Sequence, residues 1–247
     1  MRKTVFFIAF ALLMNVFCFS QENGIITYTV THNWIKKILS CDYFSKTERD
    51  RYAYIWSGDN EWERKAEVKF NTQVFYYGEM EDEEDSKWRK DDDYIIFRDL
   101  EKGETYDIMT VLNKQYVIQD SIFCQNWKIM NDMKEIAGRI CMNAICYDSL
   151  KGKEIVAWFA LDLPVSVGPD KYCGLPGLIL EVNEANGAKV FTATSILLPD
   201  EKIIIEKPVI KKKRKSIDYQ EYNILVEKYI NDCKKMQRPY FWGGLPY

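Results

Sequence analysis

One histidine in 247 residues is the first thing this chain withholds. A Ser-His-Asp triad, a His-based zinc enzyme and a His-rich metal site all need more imidazole than that, so each is disfavoured. A thioredoxin-like Cys-x-x-C is also missing. Beyond the first twenty residues no stretch reaches the roughly 18 apolar residues that span a bilayer. Nor is there an internal repeat, apart from a short echo of Gly174-Leu175-Pro176 in Gly244-Leu245-Pro246. What remains is ordinary globular composition: 47% hydrophobic, 15% aromatic, 34 Lys+Arg against 37 Asp+Glu. That argues against disorder, collagen and a multi-span membrane protein.

The N-terminus reads as an address. Arg2 and Lys3 precede an apolar stretch over 4–16, and Cys18 and Ser20 are small residues at positions −3 and −1. These features predict a signal peptide over 1–20, cut near Ser20-Gln21. The protein is therefore expected in the periplasm or outside the cell. Asn15, Val16 and Phe17 are poor company for a lipidated Cys18, so a lipoprotein is not expected. Residues 21–247 are read as a single domain. Cleavage removes Arg2 and Lys3, taking the net charge from −3 to −5. It also removes one of seven cysteines. Cys41, Cys124, Cys141, Cys146, Cys173 and Cys233 remain, an even set of disulfide candidates with 15 possible connectivities.

Along the chain, β-branched residues predict a strand over 24–30 and alternation predicts one over 67–77. Ser45 and Glu48 suit the start of a helix over 45–56. From residue 94 to 206 short strand-like runs recur about every ten residues: 94–98, 105–112, 114–118, 126–130, 140–147, 154–161, 177–182, 189–196 and 202–206. Turn signals separate them, including Asp132, Lys151-Gly152 and Asn186-Gly187. A last helix is predicted over 216–236, capped by Ser216, with Tyr222, Leu225, Val226, Tyr229, Ile230 and Cys233 in one apolar stripe. The expected fold is mainly β (α+β): a curved antiparallel sheet, a C-terminal helix and a short N-terminal helical segment.

The sharpest local feature is Val167 to Val182, VGPDKYCGLPGLILEV. Gly168-Pro169 reads as a turn. Leu175-Pro176-Gly177-Leu178 suits a type II turn, with Pro176 fixing φ and Gly177 supplying a positive one. A rigid apolar loop then feeds a core strand. Gly168, Pro169, Gly174, Leu175, Pro176, Gly177 and Leu178 are the candidate binding residues, either a docking loop or a structural turn. The stretch has no nucleophile–base pair, and no catalytic residue, metal ligand or cofactor is assigned.

Gly174-Leu175-Pro176-Gly177-Leu178-Ile179 spells the motif of the GLPGLI family of exported proteins of Gram-negative bacteria. The chain resembles that family further in Trp127-Lys128-Ile129, in Gly138-Arg139-Ile140-Cys141-Met142-Asn143-Ala144, and in Ala157-Trp158-Phe159, Leu163-Pro164 and Gly168-Pro169. The resemblance implies an exported protein, often encoded beside outer-membrane transport or export genes. It carries no activity. Position 139 is Arg where similar chains can hold His, which weakens any His-based role there.

Other clusters have plainer readings beside sharper ones. The acidic run Glu79 to Asp85 has oxygens for Ca²⁺ but lacks EF-hand spacing, and suits a solvated loop. The basic run from Lys207 to Lys215 suits a linker, or a contact with anionic head groups. In an exported, acidic chain it is not read as a nucleic-acid site. Cys141 and Cys146, with Met130, Met133 and Met142, could offer soft ligands to Cu(I). Three functional readings follow. The first is an exported envelope accessory or binding protein whose partner is an outer-membrane transporter, a peptide or a lipid. The second is an exported hydrolase using Asp and Glu. The third is a copper-binding protein.

Overall fold

The computed structural model describes residues 23–58, 60–80, 94–112, 114–209 and 214–243. The expected signal peptide, most of the acidic run, Lys211 to Lys213 and the terminal Gly244-Leu245-Pro246 lie outside the described residues.

A 12-stranded sheet organises the chain. Its strands are β1 (Gly24–Asn33), β2 (Glu61–Phe70), β3 (Val74–Glu79), β4 (Ile95–Asp99), β5 (Glu104–Val111), β6 (Lys114–Ser121), β7 (Lys128–Ile136), β8 (Arg139–Asp148), β9 (Lys153–Ala160), β10 (Leu178–Glu184), β11 (Lys189–Leu197) and β12 (Lys215–Ile217). The spatial order is β12-β6-β5-β4-β3-β2-β1-β11-β10-β9-β8-β7. β1 therefore sits at the centre between two meanders, β2–β6 on one side and β7–β11 on the other. Every pairing is antiparallel except β12 on β6. The helices are α1 (Trp34–Leu39), α2 (Lys46–Ile55) and α3 (Tyr219–Met236).

Period-two burial gives β1 its central place. Ile26, Tyr28 and Val30 are fully buried while the residues between them are half-buried. Tyr28 donates its hydroxyl to the Ile179 carbonyl at 2.6 Å, which satisfies a phenol buried in the core. The sheet is strongly curved. Tyr77 of β3 and Phe191 of β11 are three strands apart, which in a flat sheet is ~14 Å. Their ring centroids are 6.4 Å apart, edge to face. The two meanders thus share one core on the concave face, and α3 lays Tyr219, Tyr222 and Leu225 against it. A second cluster of Ile38, Cys41, Phe44, Tyr52, Val226, Ile230 and Cys233 ties α1 and α2 to the far half of α3.

Several expectations need correction. The strand foreseen over 67–77 is two strands, because Asn71 takes the Gln73 and Val74 amides on its side chain and turns the chain. Asp132 is not a turn. It forms a bulge within β7, locked by a reciprocal pair of bonds with Asn143, and the turn comes later at Ala137-Gly138, both at positive φ. Residues 202–206 form no strand; Asn71 and Gln73 hold that segment as a connector. Ser216 does not cap α3. From β12 its hydroxyl donates to Gln119 of β6, and Asp218 caps the helix by accepting from the Glu221 amide at 2.7 Å. Ser45 does cap α2, at Glu48.

The six cysteines give one disulfide, Cys124–Cys173. Cys41, Cys141, Cys146 and Cys233 are free thiols. Cys141 and Cys146 lie five residues apart on one regular strand, so they point to opposite faces and are ~16 Å apart along it. They can neither bridge nor share a copper ion.

Among the buried polar groups His32 and Lys37 form a pair, the lysine Nζ lying 2.6 Å from His32 Nδ1. Burial, then the Lys37 charge, pushes the imidazole down to about 2. The folded state therefore refuses a proton that the unfolded chain accepts below pH 6.5. Stability should drain away as the pH falls through that window, by up to about 1.4 kcal/mol per pH unit from this residue. His32→Asn keeps an acceptor for Lys37 and cannot titrate. Urea titrations of both proteins from pH 7 to 4 should give the flatter profile for the variant.

Candidate functional site

The segment between β9 and β10 leaves the sheet and returns across its concave face. The middle of the segment goes inward: Gly168, Pro169, Asp170, Tyr172, Cys173, Leu175, Gly177 and Leu178 are buried, and only Gly174 and Pro176 are exposed. Leu175 is 1% exposed and belongs to the core. The expected type II turn does not form, since Gly177 has no positive φ. Glycine is needed there for close approach. A Cβ at 177 would lie 2.2 Å from the Ala160 carbonyl oxygen, and one at 168 would lie 2.7 Å from Ile179 Cβ. Gly174 carries the positive φ instead, at +95°.

A second segment, residues 124–127, staples this loop. The Cys124–Cys173 disulfide joins the two. Gln125 accepts from the Cys173 amide at 3.1 Å and donates to the Lys171 carbonyl at 3.3 Å. Trp127 donates its indole N–H to the Cys173 carbonyl at 2.7 Å. Arg98, from β4, donates to the Lys171 carbonyl as well. Trp127-Lys128-Ile129 and the loop that runs into GLPGLI, joined at Trp127 and Cys173 across 46 residues of sequence, are thus one structural unit. Arg139 stands away from it in an exposed ion pair with Asp162 at 2.5 Å.

The loop delivers charge to the interior. Asp170 has a left-handed backbone, φ +56°, and is 2% exposed. Tyr94 donates to its carboxylate at 2.5 Å, the Lys171 amide does so at 2.8 Å, and the Lys189 ammonium lies 3.5 Å away. Burial alone would raise this carboxyl. The Lys189 and Lys171 ammonium groups outweigh that and hold it below the usual aspartate range. Lys171 faces Asp148, at the end of β8, at 3.6 Å. Asp148 is likewise held low against its burial, by Lys171 and then Lys151. Glu184 and Lys189 lie opposite each other on β10 and β11.

Tyr94, Asp148, Asp170 and Lys171 border a cavity of about 520 Å³ between the concave sheet and α3. Tyr94, Tyr147, Tyr172, Tyr219 and Tyr222 line it, with Asp120, Asp148, Asp170, Lys151 and Lys171 on its wall and Asn223 on α3. The volume falls within the range of small-molecule sites. Cys146 also lines it, its thiol pushed up to about 12 by burial and then by Asp148, so it is not a thiolate. Asp107, nearby, is pushed up to about 6 by burial, but Thr105 and Tyr219 both donate to it.

Most of these residues escaped the sequence reading. The visible signal was two adjacent charges, Asp170-Lys171, inside an otherwise apolar motif. The residues singled out there, Gly168, Pro169, Gly174, Leu175, Pro176, Gly177 and Leu178, surround the charged pair. Elsewhere, Glu79 pairs with Arg64, and Lys207 places its ammonium 4.0 Å from the Tyr106 ring centroid. Among the described residues no group of three His, Cys, Asp or Glu side chains is placed to hold a metal ion. No helix among them is long and apolar enough to cross a membrane.

Residues 147–181, which hold the loop and Asp148, match a family model described as a protein of unknown function (Porph_ging). No curated protein matches the chain. Two solved structures of PNGF-II, from C2 and P21 crystals, are similar to it at 17% and 15% identity, with TM-scores of 0.51 and 0.53. Each match covers 84% of this chain and 33% of the other. The chain thus spans about a third of the length of PNGF-II, and the likeness is one of fold.

The two exposures at the motif separate packing from contact. Leu175→Ala should cost 2–5 kcal/mol, as truncation of a buried leucine does. Pro176→Ala, at an exposed position, should stay within about 0.5 kcal/mol of the parent. Denaturant midpoints check both.

Proposed function

We propose that this is an exported, non-catalytic binding protein of the GLPGLI type, and that the cavity under α3 is its ligand site. The observation that carries the reading is the wall itself. A protein that merely needed to be stable would fill this space with apolar side chains, since buried ion pairs return little net stability. Instead, Asp148, Lys151 and Lys171 border an open volume with five tyrosines. Such an arrangement, a few converging polar groups in an aromatic pocket, suits recognition of a small polar ligand or the end of a peptide.

The hydrolase reading draws less support. Two carboxylates can divide acid and base roles when one of them stays protonated near neutral pH. Asp148 and Asp170 are both held low by lysines. Asp107 is raised, yet it spends its oxygens on Thr105 and Tyr219 and is not on the cavity wall.

The motif loop then has two parts. Its buried residues position Asp170 and Lys171, while Gly174 and Pro176 offer a small outer surface to a larger partner such as an outer-membrane transporter or a lipid. Residues 1–20 serve as the export signal and 21–247 fold as one domain. Expressed in a Gram-negative host, the periplasmic protein should begin at Gln21 by mass spectrometry; retention of residues 1–20 would refute export by this route.

Binding is tested by thermal unfolding with free amino acids, dipeptides, monosaccharides and anionic phospholipid vesicles. A ligand at a hundred times its Kd adds about 2.7 kcal/mol. The stabilisation should vanish in Asn223→Trp, which obstructs the cavity from α3. Stabilisation by none of these, or an equal response from the variant, overturns the reading.

A further inference from the structure

Beyond Cys124–Cys173, the described residues hold four free thiols, and these divide between the two buried clusters. Cys141 and Cys146 go with the sheet core. Cys41 and Cys233 both lie in the smaller cluster that ties α1 and α2 to the far half of α3, at 1% and 0% exposure. The backbone around this second pair is already drawn together. Gln237 donates its side-chain amide to the Tyr43 carbonyl at 2.9 Å, and the Tyr43 hydroxyl donates to the Arg238 carbonyl at 2.9 Å. The Arg238 amide returns to the Cys233 carbonyl at 3.1 Å, which folds that end of the chain back beside Cys233. Lys153, from β9, donates to the Ser40 carbonyl just ahead of Cys41. Burial pushes the Cys41 thiol up, against a bond from Tyr43 and the Lys153 charge, and Cys233 is among the groups that add to the rise.

We propose that Cys41 and Cys233 are a second oxidation site, closed to a disulfide when the chain folds in an oxidising compartment. The structure holds the pair reduced. Neither residue sits in the middle of a rigid element. Cys41 lies in the link between α1 and α2, and Cys233 in the last turn of α3, where the backbone can make the small adjustment that bridging geometry requires. The bond forms before burial is complete, while both thiols are accessible and titrate at about 8.5. One cysteine thiolate attacks a sulfur of a disulfide reagent such as oxidised glutathione and expels a glutathione thiolate. The other cysteine then attacks the mixed disulfide and expels the second. The two protons pass to the leaving thiolates, and the reagent gains the two electrons that the cysteines lose. The product fastens the far end of α3. Tyr219, at the near end, is already held by Asp120 and Asp107. The cluster under the far end is small, and a cross-link that closes most of the chain into one loop stabilises it through the unfolded state.

Refolding under a set redox potential tests the proposal. The purified protein is reduced, unfolded in guanidinium and refolded in a mixture of reduced and oxidised glutathione. It is then alkylated with iodoacetamide under denaturing conditions and digested for mass spectrometry. The glutathione mixture stands in for the oxidising compartment, so the outcome does not depend on export. We expect a linked pair of peptides carrying Cys41 and Cys233, beside the pair carrying Cys124 and Cys173, with Cys141 and Cys146 alkylated. In the Cys124→Ser/Cys173→Ser variant only the new bond remains. That variant should refold to a mass lighter by two hydrogens, and its thermal midpoint should fall by several degrees when dithiothreitol is added. Adding Cys233→Ser should abolish both effects. If the double variant does not fold, the peptide map of the parent decides alone. Cys41 and Cys233 both alkylated, capped singly by glutathione, or bridged to other cysteines overturns the proposal, whether or not Cys124–Cys173 has closed. So does a folded double variant whose mass and midpoint both ignore dithiothreitol.

Discussion

Asp170 is the residue on which the interior depends. Its carboxylate is taken almost wholly out of water, and an uncompensated charge there would cost several kcal/mol. Compensation comes from three directions: Tyr94 just ahead of β4, Lys189 at the start of β11, and the backbone of its own loop. Those groups belong to opposite meanders and meet only because the sheet is curved. Curvature, loop position and charge balance are therefore one constraint. A flatter sheet would strand the aspartate, and a neutral residue at 170 would take from Lys189 its ion-pair partner on the same face.

The staple at residues 124–127 follows from that constraint. A left-handed, non-glycine residue is a costly conformation, and it persists where surrounding contacts over-determine it. Here the disulfide, the two bonds of Gln125, the indole of Trp127 and Arg98 all act within three residues of Asp170. The close approach of Gly177 to the Ala160 carbonyl closes the same loop from its other end. Rigidity of this kind is what a binding wall needs, because it orders the charged groups before a ligand arrives.

Much of the architecture was legible because it rests on local rules. The β-branched run of β1, the Ser45 cap of α2, the turns at Lys151-Gly152 and Asn186-Gly187, and the 3.6-residue stripe of α3 are written in neighbouring residues. Failures came where a distant partner outbid a local signal. Ser216 is a good cap by itself, but pairing of β12 with β6 claims it first. Asp132 resembles a turn residue until Asn143, across the ladder, holds it in a bulge. Glycine at 177 looked like a φ requirement and proved to be a distance requirement, which only the Ala160 carbonyl reveals.

The site was less legible than the fold for the same reason. Turn chemistry at Pro176-Gly177 and the motif itself point to GLPGLI, yet those residues chiefly pack. The polar residues that line the cavity, among them Asp148, Lys151, Lys171 and Tyr222, come from a strand end, a turn, a loop and a helix, with nothing periodic to unite them. The arrangement also separates the two charged pairs in purpose. Asp170 with Lys189 is closed off by Tyr94 and serves the fold. Asp148 with Lys171 is left loose at 3.6 Å beside an open volume. That difference in closure, and not the apolar motif itself, is what marks the cavity as the candidate site.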